Sequence, residues 1–75
     1  MAKLTKREIA AFRRHVDGLN RLIEQVRTRI PDARYYMEGE SGLNLMSGPS
    51  HEDGVSQQDR ILCTAQLEYS DCGAW

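Results

Sequence analysis

The sequence predicts an α+β domain: one long N-terminal helix packed on a three-stranded antiparallel sheet, in two layers and in the order α-β-β-β. Three observations predict it. Apolar residues recur at helical spacing from Ile9 to Ile30, Pro31 ends that pattern, and beyond it the chain changes to a period of two, most clearly in "DRILCTAQLEY". The 75 residues leave room for one domain, 1–75, with a modest core. A chain of this size buries only about 60% of the surface its unfolded form exposes, so its stability is marginal without outside help.

The helix is expected over about residues 5–30. Thr5 is a natural N-cap, and Glu8 three residues on completes a capping box, while Leu4 and Ile9 are spaced as a hydrophobic staple. Ile9, Phe12, Val16, Leu19, Ile23, Val26 and Ile30 then follow in alternating steps of three and four, an a/d heptad seam widened by Leu22. Gly18 contradicts it locally, because a glycine inside a helix costs roughly 1 kcal/mol relative to alanine. The seam keeps its phase across Gly18, so a continuous helix is expected. From Lys6 to Ile30 it would span about 38 Å.

Placing Ile9 at position a puts Lys6, Arg13 and Arg27 at e, and Arg7, Arg14 and Arg21 at f. These six cations form a stripe beside the seam. The stripe suits phosphates or an acidic protein surface, and equally an ordinary solvated helix face. No aromatic residue interleaves it, so base stacking has no support there. The whole chain has a net charge of −1, but the charges are segregated. Residues 1–34 hold nine Lys/Arg and four Asp/Glu, and residues 35–75 hold one Arg and seven Asp/Glu. A split of this kind suggests two faces that meet each other, or one face offered to a partner.

Strands are expected at about 33–38, 43–47 and 60–69, with a tail over 70–75. "ARYYMEGESGLNLMSG" reads as two strands around a Gly-Glu-Ser-Gly loop. Tyr35 and Met37 share one face of the first strand, and Leu43 and Leu45 share one face of the second. In the third strand Ile61, Cys63, Ala65, Leu67 and Tyr69 alternate with polar residues, apart from Leu62, which places Cys63 in the core. The helix is longer than such a sheet needs. A homodimer through the helix seam or a sheet edge is one way to cover the excess.

The connection Ser47–Gln58 holds His51, Glu52 and Asp53 side by side. Three neighbours in a turn-rich loop rarely converge on a metal or a proton without ligands from elsewhere, so the trio is expected to offer a contact surface. Cys63 and Cys72 are not a C-x-x-C pair, and neither histidine lies near them in sequence. No metal or other cofactor is expected. Trp75 would serve either to dock on its own domain or to anchor a partner. Phosphate-loop, nucleophile-elbow and H-E-x-x-H motifs are all missing.

No apolar run follows Met1 and none is long enough to span a membrane. A reducing, cytoplasmic setting is therefore expected. The expected function is a small non-enzymatic interaction protein that binds or blocks a macromolecular partner. Arg7, Arg13, Arg14, Arg21, His51, Glu52, Asp53 and Trp75 are the candidate contacts. Very small, motif-free, charge-polarised chains are a common format among inhibitors from phage and other mobile elements, anti-CRISPR proteins included. That comparison concerns format and rests on no motif. The alternative is a nucleic-acid-binding module that uses the basic stripe. Part of the double-stranded-RNA-binding fold shares the α-β-β-β order, without the second helix and its basic motif.

Overall fold

The computed structural model describes residues 2–39 and 42–69. Its architecture is α+β, with one long N-terminal helix, a three-stranded antiparallel sheet and a small two-stranded sheet. The expected tail, with Cys72 and Trp75, lies outside the described residues.

Helix α1 runs over Lys6–Arg27, and both halves of the capping box form. The Glu8 amide donates to Thr5 Oγ1 at 3.0 Å, and the Thr5 amide donates to Glu8 Oε1 at 2.9 Å. The helix passes through Gly18 without a break. It stops three residues short of the expected Ile30. Pro31 disfavours the helical conformation for the residue before it and has no amide to donate, so the last turn is used for closure. There the Thr28 hydroxyl donates to the Gln25 carbonyl, and the Arg29 and Ile30 amides both donate to the Val26 carbonyl.

Strands β1 (Arg34–Glu38), β2 (Gly42–Met46) and β5 (Ile61–Gln66) form the main sheet in that order. Strands β3 (His51–Glu52) and β4 (Val55–Ser56) form a hairpin inside the connection between β2 and β5. Tyr35 stands opposite Leu45, and Leu45 opposite Cys63, so these three share a sheet face. This is the helix side, because the Tyr35 hydroxyl donates to the Leu19 carbonyl at 2.8 Å. Tyr36, Asn44 and Met46 face the other way, toward the hairpin, where the Tyr36 and His51 rings meet edge to face at 5.7 Å.

One feature of β5 departs from simple alternation. The register passes from Leu45↔Cys63 to Met46↔Ile61, which leaves Leu62 without a partner as a β-bulge. The extra residue reverses the sidedness of the chain. Ile61 therefore joins Met46 on the hairpin side, Thr64 shares that side with Asn44, and of the strand's expected inner row Cys63 and Ala65 lie on the helix side. The assignment of Ile61 and Cys63 to one face is corrected accordingly.

A second correction concerns Cys63 itself. It occupies the helix side of the sheet as alternation expects, yet it is exposed rather than core. Helix α1 is 22 residues long, about 33 Å, whereas strands of five to six residues span about 17–20 Å. The helix meets the sheet at Leu19 and is buried toward its C-terminus at Val26, while at the other end Phe12 is 68% exposed. Covered along this line only, the helix side leaves Cys63 and Ala65 of the edge strand open.

Candidate interaction surfaces

The connection Ser47–Gln58 is more ordered than its turn-rich composition suggests. Asp53 and Gly54 adopt positive φ values of 51° and 78°, the backbone of a two-residue type I′ turn, which Asp-Gly favours because asparagine-like residues and glycine tolerate that region. The Gln57 amide donates to the Ser50 carbonyl at 2.7 Å and closes the base of the hairpin.

Arg60 ties this hairpin to the sheet. Its guanidinium donates to Glu52 Oε1 at 2.8 Å and to the Pro49 carbonyl at 2.9 Å, and its methylenes lie 3.6 Å from where a Cβ on Gly48 would stand. The Ser47 amide donates to the Arg60 carbonyl at 2.8 Å. A bidentate role of this kind, with a half-buried arginine, rests more on geometry than on charge, since exposed ion pairs contribute little.

His51, Glu52 and Asp53 consequently diverge. His51 turns to the Tyr36 ring, with Ser50 Oγ 3.0 Å from its Nδ1. Glu52 is occupied by Arg60, and Asp53 sits at the turn. Successive residues of a strand point to opposite faces, so this separation follows from β3 being a strand. The trio cannot converge on one metal or one proton. Among the described residues, no group of three His, Cys, Asp or Glu side chains is arranged to hold a metal ion.

Between hairpin and sheet lies a cleft of about 120 Å³, lined by Tyr36, Asn44, Met46, His51 and Ile61 among others. Small-molecule sites occupy roughly 300–1,000 Å³, so this one has room for a few waters and not for a substrate. Its floor is well satisfied: Asn44, only 3% exposed, donates from Nδ2 to Glu38 Oε2 at 2.9 Å. The cleft is a packing feature of the hairpin.

The helix presents two different surfaces. Arg7, Arg13, Arg14 and Arg21 are all exposed, and the f positions among them point directly away from the a/d seam. Among the described residues, the one ion pair is that of Arg60 with Glu52, so none of the four arginines pairs with another described residue. On the seam side, Leu4, Phe12, Val16, Leu19 and Leu22 are exposed apolar residues. The described helix is nowhere long and apolar enough to cross a membrane.

Sequence reasoning located the basic stripe and missed the partner of Glu52. Arg60 is eight residues away along a bulged strand, and only the fold brings the two together. The Asp-Gly turn was visible in the sequence, between residues capable of pairing. No family model, curated protein or solved structure matches this chain.

Proposed function

We propose that the chain is a small non-enzymatic interaction protein that binds or blocks a macromolecular partner through its charged helix surface, with the acidic hairpin side as a second contact. One observation carries the reading. Arg7, Arg14 and Arg21 repeat every seven residues along one rigid helix, about 10.5 Å apart, with Arg13 beside them and no ion pair to any described residue. Such a row costs little ordering on binding, because its backbone is already fixed. Its complement is an acidic protein surface. The absence of aromatics interleaved with the basic row speaks against a base-reading use. The inhibitor reading rests on the chain's format, and a cytoplasmic setting suits the exposed thiol of Cys63. The apolar side of the helix is assigned to self-association rather than to this partner.

The test is capture of partners from native host extract by the wild-type chain and by the triple variant Arg7→Glu, Arg14→Glu, Arg21→Glu. A specific protein captured by the first and lost by the second supports the reading, provided the helical circular dichroism is unchanged. Equal capture by both overturns it. Nucleic acid is the second reading, favoured by the regular spacing of the cations. Fluorescence anisotropy with duplex DNA and RNA decides it. Binding that falls steeply with salt and disappears in the triple variant would replace the protein partner with phosphates.

A further inference from the structure

We infer that the open apolar side of this molecule is closed by a second copy of the same chain. The seam of each helix and the uncovered helix side of each sheet would lie against the partner copy across a two-fold axis.

The area is the first argument. The chain exposes 6388 Å². A compact monomer of its mass, 8.6 kDa, exposes about 4,700 Å², so roughly 1,700 Å² is in excess. Permanent homodimers bury about 2,000–5,000 Å² in total, or about 1,000–2,500 Å² from each copy. The excess falls inside that range. Shape agrees that the single chain is not compact: its radius of gyration is 14.5 Å, against about 11 Å for a compact chain of 75 residues.

The chemistry of the uncovered surface is the second argument. Phe12, Val16, Leu19 and Leu22 form a continuous apolar row on the overhang and the turn that follows it. They continue the same heptad seam whose later members are less exposed, Ile23 half-buried and Val26 buried. Cys63 and Ala65 form a second uncovered strip, on the side of the sheet that the helix should occupy. A helix overhang without a sheet beneath it and a sheet strip without a helix above it are complementary deficits. One chain cannot satisfy both, since its helix is anchored over β1 by the Tyr35–Leu19 hydrogen bond. Two copies related by a two-fold axis can, because each supplies what the other lacks, and an isologous contact closes after two.

Need is the third argument. The buried apolar side chains among the described residues are Val26, Ala33 and Met46. A core this small does not by itself offset the entropy of ordering a domain, and oligomerisation is a usual remedy at this size.

The inference does not depend on the proposed partner. It concerns the opposite side of the helix and is tested on the purified chain alone. Light scattering coupled to gel filtration should give about 17 kDa at micromolar concentration, twice the mass of the chain. Phe12→Glu should return the mass to 8.6 kDa while the helical circular dichroism is retained. Arg14→Glu, on the far side of the helix, should leave the dimer intact. If Phe12→Glu fails to fold, Phe12→Ala is the measured variant, expected to raise the dimer dissociation constant at least about tenfold. A wild-type mass of 8.6 kDa up to high micromolar concentration overturns the inference. So does a dimer that both Phe12 variants leave unchanged.

Discussion

The two faces of the central sheet are closed by very different means, and the smaller cover does the better job. On one side a two-stranded hairpin within a short connection leaves Met46 only 2% exposed and Asn44 buried and hydrogen-bonded to Glu38. On the other a 22-residue helix leaves Phe12, Cys63 and Ala65 open to solvent. The difference lies in shape matching rather than in hydrophobicity. The hairpin is held down at several points around Arg60, and its lateral size fits the end of a five-residue strand. The helix is a rigid rod that meets the sheet along one line and runs past it. A self-contained interior forms where the cover is short and tied, and an interaction surface remains where the cover is long and straight.

Three substitutions sharpen this contrast, from the largest expected effect to the smallest. Met46→Ala empties the closed side and should cost about 3 kcal/mol, measured as a lowered urea midpoint. That is a large part of the stability of a domain this small. If Met46→Ala proves as mild as a surface change, the hairpin side is not the interior.

Tyr35→Phe removes a hydrogen bond that joins helix to sheet and should cost about 1 kcal/mol. It also has a signature in pH. Burial, with a further contribution from Cys63, raises the Tyr35 hydroxyl above its ordinary pKa of 10.0. The folded state therefore holds the proton more tightly than the unfolded chain. This stabilisation is complete below about pH 10 and is lost as the pH rises through the raised value. Stability of the wild-type protein should fall across that alkaline range, and the Tyr35→Phe variant should fall less steeply. Identical alkaline profiles would mean that the helix is held by apolar contact alone.

Gly18→Ala is the gentlest probe. A Cβ at Gly18 meets nothing within 4 Å, so alanine should raise the stability by about 0.5–1 kcal/mol through helix propensity. A loss instead would show that something seats against Gly18 in solution, and would sharpen where the second copy lies.

The contrast also separates what was legible in the chain from what was not. The start of the helix was legible because Thr5 and Glu8 act on each other across three residues, a local matter. Its continuity through Gly18 followed from the phase of the seam, and the faces of β1 and β2 followed from alternation. The bulge at Leu62 was not legible, because alternation carries no mark of a residue that lacks a partner on the neighbouring strand. Nor was the exposure of Cys63. Periodicity assigns a residue to a face and is silent on whether another element covers that face. At the candidate site, the basic row could be read from heptad positions alone. The fate of His51, Glu52 and Asp53 depended on Tyr36 and Arg60, whose proximity is a property of the fold. The Asp-Gly pair at 53–54 was the one local cue to the hairpin, outweighed in sequence by the turn-rich residues around it.

Arg60 has a consequence beyond the hairpin it secures. It is the single cation of residues 35–75, and it is spent internally on Glu52 and Pro49. The second half of the chain thus has no cation of its own to soften its acidic field, while the helix keeps its arginines outward. The molecule is an electric dipole. Two such dipoles attract most strongly when they lie side by side and reversed, which is the relation a two-fold axis perpendicular to them imposes. Pairing of copies would cancel the long-range field of each, and the rate of association should fall as salt shortens the reach of that field.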